Sequence, residues 1–152
     1  MGEAGNRVYG TVSAERQKAM SGLAFVRGLA DGSLPLNTIA GTLGYAVSEA
    51  EEGRVVVAMV PTGAHLNPAG TVHGGLAATL LDSCMGLAIQ STLAAGIGQT
   101  TVEFKISLLR PITSETLSNW VTPRRSTVPR AQRSTPCTVC SPARRAVSSC
   151  TR

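Results

Sequence analysis

The sequence predicts an α+β domain in which an antiparallel sheet wraps around one long, apolar helix. Three stretches carry that expectation: a dense aliphatic run from Gly74 to about Ser91, the apolar run RVVVAMV over 54–60, and an alternating segment over 100–109. The length of 152 residues, with 43% hydrophobic and 15% charged residues, suits one globular domain with a sizeable core. Aromatic residues make up only 3%, so Ala, Leu and Val must fill the interior, which argues against an aromatic-stacking RNA-binding sheet.

The elements follow in order. Ser13 is placed to cap a helix over 14–29, where Met20, Leu23, Val26 and Leu29 recur at helical spacing before Asp31-Gly32 closes it. A connection with Pro35 and a short turn at 38–40 lead to strands over 43–48 and 54–60, joined by the acidic turn 49–53. The second strand is apolar almost throughout, which fits a central strand with both faces covered. Residues 61–72 read as a loop by their Pro, Gly and Asn content, and 74–91 as a buried helix. In 100–109, Val102, Phe104, Ile106 and Leu108 alternate with Thr101, Glu103, Lys105 and Ser107, the clearest strand pattern in the chain. Further strands are needed after Pro111, and no segment beyond it alternates over strand length.

The net charge of +5 resembles a nucleic-acid signal until the chain is divided at Thr113. Residues 1–113 hold seven Lys and Arg against eight Asp and Glu; residues 114–152 hold seven Arg against Glu115 alone. The tail also has no Gly or Lys, three of the four Cys and thirteen Ser or Thr. A domain over 1–113 followed by a compositionally foreign tail over 114–152 is the resulting organisation. Cys137, Cys140 and Cys150 lack a fourth ligand in the tail, so no zinc site is expected there. With Trp120 as its only aromatic residue, the tail is a poor nucleic-acid binder, and disordered or poorly packed polypeptide is its expected state.

The N-terminus MGEAGNRVYG lacks the apolar core of a secretory signal, and a cytoplasmic protein is the default expectation. Residues 74–99 carry one charged side chain, Asp82. An Asp at the centre of a membrane-spanning helix costs ~2.5–3.5 kcal/mol, and no Lys/Arg cluster flanks the run, so a buried helix is expected instead.

The candidate chemistry lies in Asn67-Pro68-Ala69-Gly70-Thr71-Val72-His73-Gly74-Gly75 and in Asp82 on the helix that follows. Each part has a structural alternative: a glycine junction, a satisfied histidine at a helix start, a carboxylate facing solvent. Together they have a chemical logic. A helix N-terminus offers unpaired N–H groups and a positive dipole end, and a glycine there lets a carbonyl oxygen approach, as an oxyanion hole requires. Asp82 in apolar surroundings is suited to act as base or nucleophile toward a thioester or ester. Eight residues at 1.5 Å each separate Gly74 from Asp82 by ~12 Å, so acting on one carbonyl requires two subunits.

The stretch NPAGTVHGGLAATLLDS, followed by TTVEFKISLLRPIT, closely resembles the hotdog-fold acyl-CoA thioesterases of the phenylacetate-degradation (PaaI-like) group. The resemblance covers about 21–113, and the spacing from Asn to HGG to Asp is the family's. It implies a hotdog fold and an HGG glycine N–H that polarises the thioester carbonyl. It further implies a helix Asp acting across a dimer interface, assisted by the Asn and a strand Ser or Thr. Those roles fall to Gly74, with His73 beside it, to Asp82, to Asn67, and to Thr101 or Thr100. A homodimer or dimer of dimers is implied, with acyl-CoA as substrate and no metal or separate cofactor, coenzyme A being part of the substrate.

A hotdog domain continues with two more long strands where this chain has its tail. The tail therefore reads as out-of-frame translation beginning after about Glu115, with loss of the regular last strands. Regrouping codons across 145–152, with Arg as CGN and Ser as TCN, allows Gly, Arg, three aliphatics, His and Ala, which resembles the family's last strand. Two functions from different classes follow: a thioesterase for aryl- or medium-chain acyl-CoA, and a non-catalytic hotdog protein that binds acyl groups or a partner. A hotdog dehydratase fits less well, because its histidine needs a different place relative to the helix.

Overall fold

The computed structural model of the chain describes residues 7–113 and the strand 118–121. The order is α1 (Ala14–Lys18), α2 (Gly22–Asp31), α3 (Thr38–Leu43), β1 (Tyr45–Glu51), β2 (Arg54–Met59), a 3-10 turn (Gly63–His65), α4 (Gly74–Gln90) and β3 (Ser118–Val121).

The single helix expected over 14–29 is two helices. Ser13 caps α1 through the Arg16 N–H, and Ser21 opens α2 by accepting from the Ala24 N–H at 3.3 Å. The break has a tertiary cause: the Gly22 N–H, which a continuous helix would direct backwards, donates to the Leu93 carbonyl at 2.9 Å. A Cβ on Gly22 would lie 1.7 Å from the Gln90 carbonyl oxygen, so only glycine permits this approach of α2 to the end of α4. Gly32, at φ 85°, closes α2, and the Asp31 carboxylate accepts from the Ser33 N–H, which holds its carboxyl below the usual range. The Arg7 guanidinium donates to the Leu29 carbonyl and adds positive charge at the same helix end.

The turn expected at 38–40 is the longer helix α3, ended by Gly44 at φ 73°, so β1 begins at Tyr45 rather than 43. Glu49, Ala50 and Glu51 belong to β1, and only Glu52-Gly53 turn the chain, with Gly53 at φ 72°. β2 is the central strand of an antiparallel sheet ordered β1-β2-β3, as its apolar run predicts; Val55 and Val57 are fully buried and Val56 is 3% exposed. A bulge between Val47 and Glu49 shifts the β1–β2 register.

Two corrections concern the remaining strands. The segment 100–109 forms no strand: Phe104 and Ile106 are half-buried while Glu103, Lys105 and Ser107 are exposed, but none of the described strands lies beside it. Alternation selects a face; a ladder also needs a neighbouring edge. Conversely, Ser118–Val121, within the stretch read as having no convincing strand, pairs antiparallel with β2 from Met59↔Ser118 to Val56↔Val121. Four residues are too short to display a period, and the pairing is set by the edge of β2. The rest of the tail, including the three cysteines, lies outside the described residues.

α2 and α4 share one core with the sheet, built from Val26 and Leu29, Tyr45 and Val47, Val55, Val57 and Met59, and Leu76, Leu80, Leu81 and Cys84. The C-terminal end of α4 is tied to the hairpin by Ser91, whose hydroxyl donates to Ala88 O at 2.7 Å and accepts from the Gly53 N–H at 2.8 Å. Among the described residues no helix is long and apolar enough to cross a membrane.

Gly22→Ala is expected to lower unfolding free energy by about 3 kcal/mol, the upper part of the range for overpacked cores. Gly63→Ala, which meets nothing within 4 Å, should stay within ~0.5 kcal/mol of the parent. Urea denaturation of both variants checks the contrast.

Candidate active site

The chain enters α4 through a loop organised by Asn67. Its Oδ1 accepts from the Ala69 N–H at 2.9 Å and the Thr71 N–H at 3.2 Å, its Nδ2 donates to Thr71 Oγ1 at 2.8 Å, and its backbone N–H donates to Thr71 O at 2.8 Å. Gly70 supplies the positive φ of 78° that the tight loop requires. Leu66 and Val72 then form an antiparallel bridge, and the His73 N–H donates to His65 O at 2.9 Å, so the first residue of α4 leaves a fixed base.

His73 is the N-cap of α4. Its ring Nδ1 accepts from the Gly75 N–H at 2.9 Å, which places the proton of the neutral ring on Nε2. Its carbonyl accepts from the N–H groups of Leu76 and Ala77. The Gly74 N–H is thus the donor of the first turn with no acceptor among the described residues. Above Gly74 sits Leu108: a Cβ on this glycine would meet Leu108 Cδ1 at 2.8 Å. The glycine leaves room for one approach to the backbone, and an apolar side chain borders it.

Asp82 lies two turns along α4, half-buried, and its Oδ1 is shielded from solvent with no hydrogen-bond partner among the described residues. A buried carboxylate oxygen without a donor is costly and rare, which marks Asp82 as the carboxylate of the candidate site. The segment after α4 runs back along the helix. Gln99 Nε2 donates to Gly86 O at 3.1 Å near one end, and Leu108 meets Gly74 at the other. Thr101 and Thr100 are exposed and follow Gln99 in the chain. The structure therefore sets Asn67, His73 and Gly74 together at the N-terminus of α4 and Asp82 at the middle of the helix, and no hydrogen bond joins either threonine to Asp82 among the described residues. The place of Leu108 in the alternating face was legible, but nothing in the sequence pairs it with Gly74, which it borders in the structure.

Residues 69–123 match the thioesterase superfamily model. A candidate esterase of Halobacterium salinarum is 38% identical over 52 residues, which are 33% of this chain and 34% of that protein. The match thus spans about a third of that relative's length. Among solved structures, a phenylacetic acid degradation-related protein of Ralstonia eutropha superposes with a TM-score of 0.61 at 29% identity, over 70% of this chain and 80% of that one. A thioesterase family protein of Silicibacter pomeroyi gives 0.52 at 28% identity over 63% and 68%. The E. coli PaaI protein of the phenylacetic acid degradation operon gives 0.50 at 23% identity over 72% and 70%, a likeness of fold.

The chain has the hotdog fold of these structures. Within the hotdog domain, the family match contains His73, Gly74, Asp82 and Thr101 and continues through β3, while Asn67 lies just before it.

The capping role of His73 is tested by stability. His73→Ala should cost about 1 kcal/mol, the usual worth of an N-cap. His73→Asn, which keeps an acceptor at the cap, should recover most of it in thermal unfolding.

Proposed function

We propose that the chain is an acyl-CoA thioesterase that hydrolyses aryl- or medium-chain acyl-CoA to the free acid and coenzyme A at a site shared by two copies. The observation that carries this reading is the pair of unsatisfied groups on α4: an N–H at Gly74 that seeks an acceptor and a carboxylate oxygen at Asp82 that seeks a donor. The thioester carbonyl oxygen accepts from the Gly74 N–H at the positive end of the helix dipole. Asp82 of a second copy takes the proton of a water that attacks the carbonyl carbon, or attacks that carbon itself to form a mixed anhydride that water then hydrolyses to the free acid, regenerating the carboxylate. The C–S bond breaks, and the thiolate leaves and takes a proton. No metal or cofactor beyond the coenzyme A of the substrate is needed for these steps.

Two copies are needed because ~12 Å of helix separates the two groups within one chain. The surface fits a partner: Val102 is 93% exposed and Leu109 80%, on the segment that has no described strand beside it. A homodimer, or a dimer of dimers, covers them.

A second proposal concerns the tail. All seven of its arginines lie beyond Pro123, the last residue of the family match, and β3 ends at Val121. We infer that the frame changes after about Pro123, with the stretch before it still part of the hotdog domain. Sequencing the gene tests this, and an intact frame through codon 152 overturns it.

For the activity, a panel of phenylacetyl-type and straight-chain acyl-CoAs is given to the purified chain and to Asp82→Asn. Turnover that falls by about 100-fold or more in the variant supports the thioesterase, general-base catalysis being worth 10²–10⁴. Acyl-CoA binding without turnover in either protein would assign instead a non-catalytic acyl-binding protein.

A further inference from the structure

Beside Asp82 runs a hydrogen-bond chain that neither the family match nor the proposed reaction uses. Tyr45, the first residue of β1, is 2% exposed. Its hydroxyl donates to Asn37 Oδ1 at 3.2 Å and lies 3.2 Å from Ser83 Oγ. With the phenol proton directed to Asn37, the serine donates to the phenol oxygen, and the chain runs Ser83 to Tyr45 to Asn37. Its far end is unusual. Asn37 is the N-cap of α3, and asparagine is among the best capping residues, yet its side chain makes no cap bond and is used on Tyr45 instead.

We propose that Tyr45 and Ser83 are positioning residues that hold the middle turn of α4 and so aim the Asp82 carboxylate. This rests on the thioesterase reading. Adjacent helix residues are ~100° apart around the axis, so tying Ser83 to the buried end of β1 fixes where Asp82 points. Without the tie, the apolar stripe of Leu76, Ala77, Leu80, Leu81 and Cys84 still holds α4 on the sheet. Packing of aliphatic side chains is non-directional and holds the middle turn less sharply than a hydrogen bond. The Gly74 end is held separately by the His73 cap and the Asn67 loop. Loss of the tie therefore disturbs the carboxylate and leaves carbonyl binding intact.

The test is Tyr45→Phe, which keeps the ring that fills the core, together with Ser83→Ala and the double variant. Expected are a fall in kcat of about 10-fold in each single variant with KM within twofold of the parent, and no further loss in the double variant, as for two residues acting as one unit. Ser83→Thr, which keeps the hydroxyl, should restore most of the rate. A Tyr45→Phe kcat within twofold of the parent, or a loss carried by KM, overturns the proposal. A readout independent of turnover is a crystal structure of Tyr45→Phe, in which the Asp82 carboxylate should turn from its parental position while Gly74 stays in place. An inactive parent would defeat the thioesterase reading, and the variant's structure would still decide the positioning role: an unmoved carboxylate overturns it.

Discussion

The seating of α4 on β2 is the contact on which the remaining features depend. β2 offers Val55, Val57 and Met59 to the shared core, and α4 answers with Leu76, Ala77, Leu80, Leu81 and Cys84. A helix laid on a sheet in this way buries one stripe and leaves the opposite side to other partners. Both of its ends are pinned. At the C-terminal end, Gly22 lets α2 approach Gln90 to a separation that excludes any side chain, and Ser91 bridges to the hairpin at Gly53. At the N-terminal end, the Asn67 loop and the His65–His73 backbone bond fix the entry. The dipole end at Gly74 is therefore held in place by the same packing that forms the core.

That seating also decides what α4 presents on its other side. The side turned away from the core carries Asp82, with an oxygen that is occluded and has no partner among the described residues. The segment returning along the helix exposes Val102 and Leu109 almost fully. A buried unpaired acceptor and exposed apolar side chains are costly in opposite ways, one for want of a donor and the other for want of cover. In the proposed reaction, a second copy presenting a bound thioester at its own Gly74 would answer both. On that proposal, the ~12 Å between Gly74 and Asp82 along one helix is a requirement of a shared site rather than an obstacle to catalysis.

How much of this was legible in the sequence depends on whether a feature is local. The buried helix over 74–90, the central strand at 54–59 and the clustering of Asn67, His73 and Gly74 at a helix start follow from runs, caps and turns that lie close together in the chain. The break between α1 and α2 was not legible, because it is imposed by Leu93 and Gln90, some seventy residues away, on a glycine at position 22. The segment 100–109 shows the converse. Its alternation is real, and Phe104 and Ile106 do face inward, but a strand exists only with a neighbour, and no described strand provides one. β3 is too short to announce itself and owes its conformation to the edge of β2. The Asn37–Tyr45–Ser83 chain is likewise invisible in the sequence, since its members are common residues joined across three elements.

The cap of α4 shows why a histidine is suited to this position. Serine, threonine, aspartate and asparagine are the usual N-caps, and an aspartate at residue 73 would satisfy the Gly75 N–H as well as the imidazole does. It would also place a full negative charge within a few ångströms of the Gly74 N–H, where the proposed reaction develops an oxyanion. Like charges at that separation oppose each other by several kcal/mol at the intermediate dielectric of a partly buried site. The neutral ring nitrogen accepts the Gly75 N–H at 2.9 Å without that charge. In the proposed reaction this leaves the positive end of the helix dipole, and the Gly74 N–H with it, available to the substrate. On that reading the histidine completes the helix start without bringing a negative charge beside the oxyanion.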